Sequence, residues 1–334
     1  MKLTIIVPIY NADKYLSMCL DEIMTCPITE MECLLVNDGS TDSSLQICED
    51  FAKKDSRFKI INKSNEGVSI ARNIGISHAN GKYVMFIDAD DYIDSNKWNL
   101  IMDAIEMEVD FIAFSYFTLY QDGKVKEELF DIKSKTTDDI NSIRKVLLGT
   151  AALNTCWGKL FKLSTITTNR IRFRDGLKTG EDAIFVIDYI KVATISLLIN
   201  ESVLYYRQHG ESVMHKLDIR AKIQDFRELF DCRKRVSDIW NNSELETVMY
   251  REFFSVITNL MLIYSYKNKF SECNKVLAQV LKEDMVQDII TNVNPLHLRS
   301  IYKRLEFQLL NYKNIMLMSS YFKIKSLFLR EAGN

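Results

Sequence analysis

Hydrophobic and polar positions follow two alternating periods over the first hundred residues. Four compact apolar runs predict buried strands, at 3–10, 33–36, 58–61 and 83–87. Between them, apolar residues at helical spacing predict three helices, at 13–26, 45–52 and 67–79. Ser40 or Thr41 would cap the second helix. Strands that alternate with helices of this length predict an α/β fold, with a mostly parallel sheet covered by helices on both faces.

The pattern changes twice beyond residue 100. Between 110 and 210 it is mixed, with strands predicted at 110–120 and 195–207 and a helix at 181–192. From 217 to 330 the apolar residues keep helical spacing. We therefore predict an α/β domain over residues 1–215. The helical region over 216–334 would then make acceptor, membrane or oligomer contacts.

Composition and charge narrow the class of protein. Of the 334 residues, 47% are hydrophobic and 26% are charged, which is ordinary for a globular chain, and the formal net charge of −2 argues against a nucleic-acid binder. The 7 cysteines form no C-x-x-C pair, which predicts buried reduced thiols. The N-terminal apolar run is too short for a signal peptide, and no stretch reaches the roughly 18 apolar residues of a spanning helix. We therefore expect a cytoplasmic protein.

Polar clusters follow three of the predicted strands. They are Pro8-Ile9-Tyr10-Asn11, the turn at 37–42, and the acidic run at 88–91. In an open α/β sheet, ligands bind beyond the carboxyl ends of the strands, near the point where the strand order reverses. If the order is 3-2-1-4, strands two, one and four are neighbours, and their polar tips form one rim.

The acidic run predicts a metal site. Asp88 and Asp90, with Asp91 beside them, extend from an apolar strand. Crowded carboxylates repel one another unless a cation neutralises them, and hard oxygen ligands suit Mg²⁺ or Mn²⁺ ions that also bind phosphate oxygens. The alternative is a solvated turn that caps the next helix.

Two further polar groups suit a nucleotide. Asp38 could accept a hydrogen bond from the imide N–H of uracil, or could simply shape its turn. Asn65 lies at the start of the third helix, and Arg72 lies about one turn inside it. Arg72 could hold a phosphate, could orient Asp88 and Asp90, or could be an ordinary surface arginine.

Two later segments could carry the remaining chemistry. Glu181 and Asp182 precede an apolar run, so they could cap a helix, or one of them could be a general base for an acceptor hydroxyl. Arg207 could neutralise a leaving diphosphate. His209 could complete a metal shell, or it could be an ordinary surface or packed residue.

Together these segments resemble the inverting family 2 glycosyltransferases of the GT-A fold, of the type that builds bacterial surface polysaccharides. The matching stretches are IIVPIYNADKYL, LLVNDGSTDSS, NEGVSIARNIGISHANGKYVMFIDADD, CWGKLFK, TGED and YYRQHGESVM. They occur in the family's order across residues 3–214, whereas residues after about 216 match nothing general in the family.

The resemblance implies a role for each matching residue. Uridine contacts fall to Pro8, Tyr10 and Asp38, and contacts to the nucleotide and donor sugar fall to Asn65, Arg72 and Asp88. The metal, Mn²⁺ or Mg²⁺, would be bound by Asp90 together with His209. Asp182 would be the base, and Glu181 would lie near the acceptor. Trp157 and Lys159 belong to a recurring segment whose chemistry the resemblance leaves unassigned.

The implied reaction is a single displacement that moves a hexosyl or N-acetylhexosaminyl group. An acceptor hydroxyl on a glycan or lipid-linked glycan loses its proton to Asp182 and attacks the anomeric carbon of a UDP-sugar. The metal and Arg207 stabilise the charge on the departing UDP. Inversion of an α-linked donor gives a β-linked product.

Two other functions compete with this interpretation. A sugar nucleotidyltransferase usually carries a glycine-rich basic loop after its first strand, whereas PIYNADKY holds no glycine. A catalytically inactive paralogue could bind a UDP-sugar or act as a partner subunit. An inactive paralogue is expected to lose catalytic residues. Here the candidate carboxylates are all present: Asp38, Asp88, Asp90 and Asp182.

The C-terminal tail is basic and amphipathic. Residues 299–330 contain seven Lys or Arg and one Glu, interleaved with apolar residues. Such a segment could lie on the inner face of the cell membrane, near a lipid-linked acceptor. It could equally dock onto the helical region or form a homodimer.

Overall fold

The computed structural model of the protein describes residues 1–150, 152–177, 179–208, 219–298 and 300–331. Two compact units divide the chain. The N-terminal unit comprises Met1–Leu147 and Ala151–Lys216, and the C-terminal unit comprises Leu148–Thr150 and Leu217–Asn334.

A mixed sheet forms the centre of the N-terminal unit. Its strands are β1 (Leu3–Ile9), β2 (Met31–Asp38), β3 (Phe58–Lys63), β4 (Tyr83–Phe86), β5 (Tyr92–Ile93), β6 (Phe111–Leu119), β7 (Val125–Glu128), β8 (Thr136–Thr137), β9 (Lys159–Lys162) and β10 (Ser196–Arg207). They run in the order β3-β2-β1-β4-β9-β6-β10-β5, with β7 paired to β6 and β8 paired to β10. The condition set for the sequence, a strand order of 3-2-1-4, is therefore met, and strands two, one and four are neighbours. β3, β2, β1 and β4 are mutually parallel, as are β6 and β10.

Helices connect these strands. They are α1 (Asp13–Met24), α2 (Ser44–Lys54), α3 (Val68–His78), α4 (Trp98–Glu106), α5 (Ile140–Gly149), α6 (Leu163–Thr168) and α7 (Glu181–Ile190). The predicted cap of α2 is wrong, because the Ser44 N–H donates to Asp42 Oδ1 at 3.0 Å. Ser40 and Thr41 instead bond to Asn11, which ties the loop after β2 to the loop after β1.

Close packing sets α3 against β1. Every residue of β1 is buried, which is why its sequence is almost continuously apolar. Gly75 faces Ile6, and a Cβ on Gly75 would lie 2.5 Å from Ile6 Cγ2. The missing side chain lets the helix approach the strand, and Arg72 lies one turn earlier on that helix.

The C-terminal unit is helical. Its helices are α8 (Ile219–Trp240), α9 (Ser243–Lys267), α10 (Phe270–Val280), α11 (Asp284–Asn292), α12 (Ile301–Asn311) and α13 (Ile315–Glu331). Glu306 is 1% exposed and forms ion pairs with Lys303 and Lys325. Among the described helices, none has both the length and the apolar character needed to cross a bilayer. All seven cysteines of the chain are buried and none forms a disulfide, as predicted.

Candidate active site

Arg72 joins three carboxylates from two distant parts of the chain. Its guanidinium donates from Nη2 to Asp88 Oδ1 at 2.8 Å and from Nη1 to Asp182 Oδ1 at 2.6 Å. Glu181 Oε1 lies 3.3 Å from the same Nη1. Arg72 is only 3% exposed, so the surface-arginine interpretation is wrong. The end of β4 and the start of α7 therefore meet at one buried cation.

Asp182 is held at both of its oxygens. While Arg72 binds Oδ1, the backbone N–H of Cys156 donates to Oδ2 at 3.2 Å. Burial raises the pKa of Asp182, whereas the Arg72 charge lowers it. The pKa of Glu181 is raised to about 7, mainly by burial and secondly by the negative charge of Asp182. Carboxylates that are buried but held by a cation can accept a proton near neutral pH, as a general base must.

Arg207, at the end of β10, contacts the acidic run after β4. Its backbone N–H donates to Asp91 Oδ1 at 2.8 Å, and its Nε donates to the Asp90 carbonyl oxygen at 3.1 Å. Its guanidinium lies 4.9 Å from the centre of the Tyr15 ring. Arg207 and the acidic run are thus brought together, while the role of Arg207 at a diphosphate stays a prediction.

The acidic run suits a divalent cation. Asp91 is 1% exposed, and its Oδ2 has no hydrogen-bond partner among the described residues. Asp90 and Asp88 lie close enough for their charges to raise the pKa of Asp91, in addition to burial. The described part of the chain contains no group of three or more His, Cys, Asp or Glu arranged to hold a metal. The unpartnered Oδ2 of Asp91 is compatible with an ion that takes one or two carboxylates and completes its shell with phosphate and water.

His209 lies outside the described residues, so the structure does not test its predicted role as a metal ligand. Asp90 remains the predicted metal ligand, and it is partly exposed.

The predicted uridine residues occupy the ends of β1 and β2. Ile9 pairs with Asn37, which places Pro8 and Asp38 near each other at the same edge of the sheet. Pro8 is buried and Tyr10 is 53% exposed. The side chain of Tyr10 is thus available to stack on a ligand.

Asp38 also organises the loop that leads into α3. Lys63 Nζ donates to its Oδ1 at 2.5 Å, and the backbone N–H groups of Glu66 and Gly67 donate to its carboxylate at 3.0 and 2.8 Å. A carboxylate can accept about four hydrogen bonds, so the predicted bond to uracil stays compatible with these three. Asn65 lies in this loop and is exposed.

Several of these contacts could not be predicted from the sequence. Asp91 had no predicted role of its own, yet its carboxylate accepts the Arg207 N–H. The Cys156 N–H that donates to Asp182 was likewise not predicted. In the sequence, only the segment CWGKLFK indicated this region, and it did not indicate a chemical role. A backbone N–H donor is common to almost every residue type, so the sequence does not reveal it.

Known proteins resemble the first half of the chain. Residues 4–158 match the family model described as glycosyl transferase family 2. This part of the chain is therefore similar to the family 2 glycosyl transferases. Over 214 residues the chain is 32% identical to glycosyltransferase GlyA of Streptococcus pneumoniae serotype 4. The aligned region covers 62% of this chain and 30% of GlyA. Over 213 residues the chain is 28% identical to the uncharacterized glycosyltransferase EpsJ of Bacillus subtilis. This aligned region covers 63% of this chain and 62% of EpsJ. The chain thus spans less than two thirds of these relatives.

Solved structures share the fold. TarS 1–349 of Staphylococcus aureus in complex with UDP-GlcNAc matches with a TM-score of 0.69 at 20% identity, over 97% of this chain and 90% of that one. The mannosyltransferase PcManGT of Pyrobaculum calidifontis, in complex with GDP-Man and Mn²⁺, matches with a TM-score of 0.54 at 12% identity, over 97% and 87%. At these identities the likeness shows the fold alone. The predicted GT-A fold with a helical C-terminal region is confirmed.

Proposed function

We propose that this protein is an inverting glycosyltransferase that moves a sugar from a UDP-sugar to a hydroxyl of a glycan or lipid-linked glycan. The meeting of Asp88, Glu181 and Asp182 at the buried Arg72 carries the proposal, because it joins the donor edge of the sheet to a candidate base. TarS supports the donor class, since its domain has been solved with UDP-GlcNAc.

The acceptor class follows from relatives whose names describe cell-surface polymers. The chain is 25% identical over 276 residues to TarS of Staphylococcus aureus, a poly(ribitol-phosphate) β-N-acetylglucosaminyltransferase. It is 28% identical over 259 residues to the minor teichoic acid biosynthesis protein GgaB of Bacillus subtilis. We therefore propose a surface-polysaccharide acceptor or its lipid-linked precursor.

In the proposed mechanism, Asp182 takes the proton of the acceptor hydroxyl while the hydroxyl oxygen bonds to the anomeric carbon. The bond from that carbon to the diphosphate breaks, and its electrons leave with UDP. Arg72 keeps Asp182 ionised and oriented. Arg207 lies beside the acidic run and offsets charge on the leaving diphosphate. Mg²⁺ or Mn²⁺, bound by Asp90 and the diphosphate, would supply further neutralisation of that charge.

The direct test is a panel of UDP-sugars with Mn²⁺, read by thermal shift and by UDP release. One donor should raise Tm most at equal concentration and should be turned over. Binding without release of UDP, with or without a glycan acceptor, would favour the inactive UDP-sugar-binding paralogue.

Metal dependence is tested with the same assay. We expect EDTA to abolish UDP release and Mn²⁺ to restore it, because the acidic run by itself is an unfavourable place for a diphosphate. Asp90→Asn should require more Mn²⁺ for half-maximal activity, whereas Asp94→Asn, after the acidic run, should not. Full activity in EDTA would contradict the metal assignment.

We also propose that the C-terminal unit lies on an anionic membrane surface through the outward face of α12. Ile301 and Tyr302 on α12 are 77% and 62% exposed, and Tyr312, which directly follows the helix, is 79% exposed. Glu306, the one carboxylate within 299–330, is buried in ion pairs, so the exposed side chains of this segment are apolar, polar or basic. Apolar and basic side chains on one exposed segment suit an anionic lipid interface.

A further inference from the structure

Lys159 is a buried charge for which the proposed mechanism has no use. It begins β9 and is 1% exposed. Its Nζ donates to Thr155 Oγ1 at 3.1 Å and to the Trp157 carbonyl oxygen at 3.2 Å, and both of these partners are uncharged. Burial lowers the pKa of Lys159 to about 8. An ammonium is costly to bury, so its retention beside the site calls for a reason.

The turn that Lys159 holds also touches the candidate base. This turn, residues 155–158, directs the Cys156 N–H to Asp182 Oδ2. At its far end Gly158 adopts a φ of +65°, and its carbonyl oxygen accepts the Phe114 N–H at 3.0 Å. The hydrogen bond to β6 therefore fixes one end of the turn. The side chain of Lys159 bonds to the remainder, at Thr155 and Trp157.

We propose that Lys159 is a positioning residue: by bridging Thr155 and Trp157, it fixes the turn that presents the Cys156 N–H to Asp182. This inference rests on the proposed role of Asp182 as base. The terminal torsion of an Asp side chain is intrinsically soft, so one donor at Oδ1 leaves the carboxylate free to rotate. A second donor at Oδ2 sets the plane in which a lone pair can meet the acceptor hydroxyl.

A variant that keeps the length of the Lys159 side chain can separate a positioning role from a purely structural one. Lys159→Met keeps the length of the side chain but removes both hydrogen bonds and the buried charge. Replacing a buried charge by an apolar group of similar volume is often neutral or stabilising. Stability should therefore hold while catalysis falls, whereas a purely structural residue would lose both together.

The experiment compares three variants by steady-state kinetics, Tm and amide hydrogen exchange of residues 153–160. Lys159→Met removes the bridge, and Thr155→Val removes one of its acceptors. Lys162→Met is the matched control, because Lys162 lies on the same strand but pairs with Asp110 at 3.1 Å.

We expect Lys159→Met to lower kcat by about 10-fold to 100-fold with the donor KM nearly unchanged, since misplacement by about 1 Å can cost that much. Thr155→Val should lower kcat less. Exchange over 153–160 should accelerate in both variants, and Lys162→Met should leave kcat and this exchange at wild-type values.

Two results would overturn the inference. One is wild-type exchange over 153–160 in Lys159→Met, because the turn would then not depend on the bridge. The other is faster exchange with wild-type kcat, because the turn would then not position the base. If the wild-type protein turns over no UDP-sugar, the proposed function falls, while the exchange arm still decides whether Lys159 fixes the turn.

Discussion

At the residue scale, the proposed chemistry depends on how Asp182 is held. Arg72 and the Cys156 N–H bond to opposite oxygens of its carboxylate. Burial alone would favour the protonated acid, which cannot act as a base. The guanidinium counters part of that effect, and the pKa of Asp182 remains above its ordinary value because the side chain is poorly solvated. Such a carboxylate is a stronger proton acceptor than one in water.

Asp182→Asn tests this role. The amide keeps the shape of the side chain but cannot accept the proton, so we expect kcat to fall by about 10²-fold or more while donor binding, read by thermal shift, persists. Asp188→Asn is the control, because Asp188 lies on the same helix and pairs with Arg174 instead. Near-normal turnover by Asp182→Asn would remove Asp182 from the role of base.

Glu181 predicts how stability varies with pH. Its pKa in the folded protein is about 7, against an ordinary 4.5, so the folded state holds the proton more tightly than the unfolded chain. The free energy of unfolding should therefore fall as pH rises through this window and level off above it. Glu181→Gln cannot titrate, so its Tm relative to the wild type should rise between about pH 5 and about pH 8.

The control for this measurement is Glu272→Gln, at an exposed position in the C-terminal unit. Its Tm difference from the wild type should stay constant over the same range. A constant difference for Glu181→Gln as well would show that Glu181 gains no proton affinity on folding.

At the element scale, the contact of α3 with β1 sets the place of Arg72. Gly75 lies three residues beyond Arg72, where the helix meets Ile6. A stiff, β-branched side chain inside a strand has little room to move aside. The helix would have to shift instead, and Arg72 would move with it away from Asp88 and Asp182.

Gly75→Ala tests this packing. Alanine gains about 1 kcal/mol of helix propensity, but overpacking costs about 1–3 kcal/mol, so we expect lower stability by urea denaturation together with lower kcat. Ser77→Ala, at an exposed position of the same helix, gives the propensity effect without the clash and should be neutral or stabilising. Equal behaviour of the two variants would show that α3 is free to shift.

At the scale of the whole molecule, membrane binding can be tested with substitutions that leave the proposed active site intact. Ile301→Ser with Tyr302→Ser removes two exposed apolar side chains worth about 1.5–3 kcal/mol each if buried in lipid. We expect sedimentation with phosphatidylglycerol vesicles to weaken by about 10-fold or more, while hydrolysis of the UDP-sugar in solution stays unchanged.

Ile239→Ser, at a position that is 61% exposed on α8, should sediment like the wild type. Sedimentation that is equal for all three proteins would end the membrane proposal. Loss of a dimer in analytical ultracentrifugation, without any vesicle binding, would assign the face to a second copy of the chain.

The sequence by itself determined the alternating strands and helices of the first hundred residues and the residues that resemble a family 2 glycosyltransferase. Periodicity and turn residues are local properties, so strands such as Leu3–Ile9 could be predicted within a residue or two. The helix cap could not, because Ser40 and Thr41 find partners across the rim at Asn11.

Only the tertiary structure decided which charges meet. Arg72 had three possible roles in the sequence, and it bonds to Asp182, which lies 110 residues away. Asp91 and Arg207 meet across a similar distance in the chain. Spacing along the chain carries no information about such contacts, and the pKa values of Asp182 and Glu181 depend on burial that only packing creates.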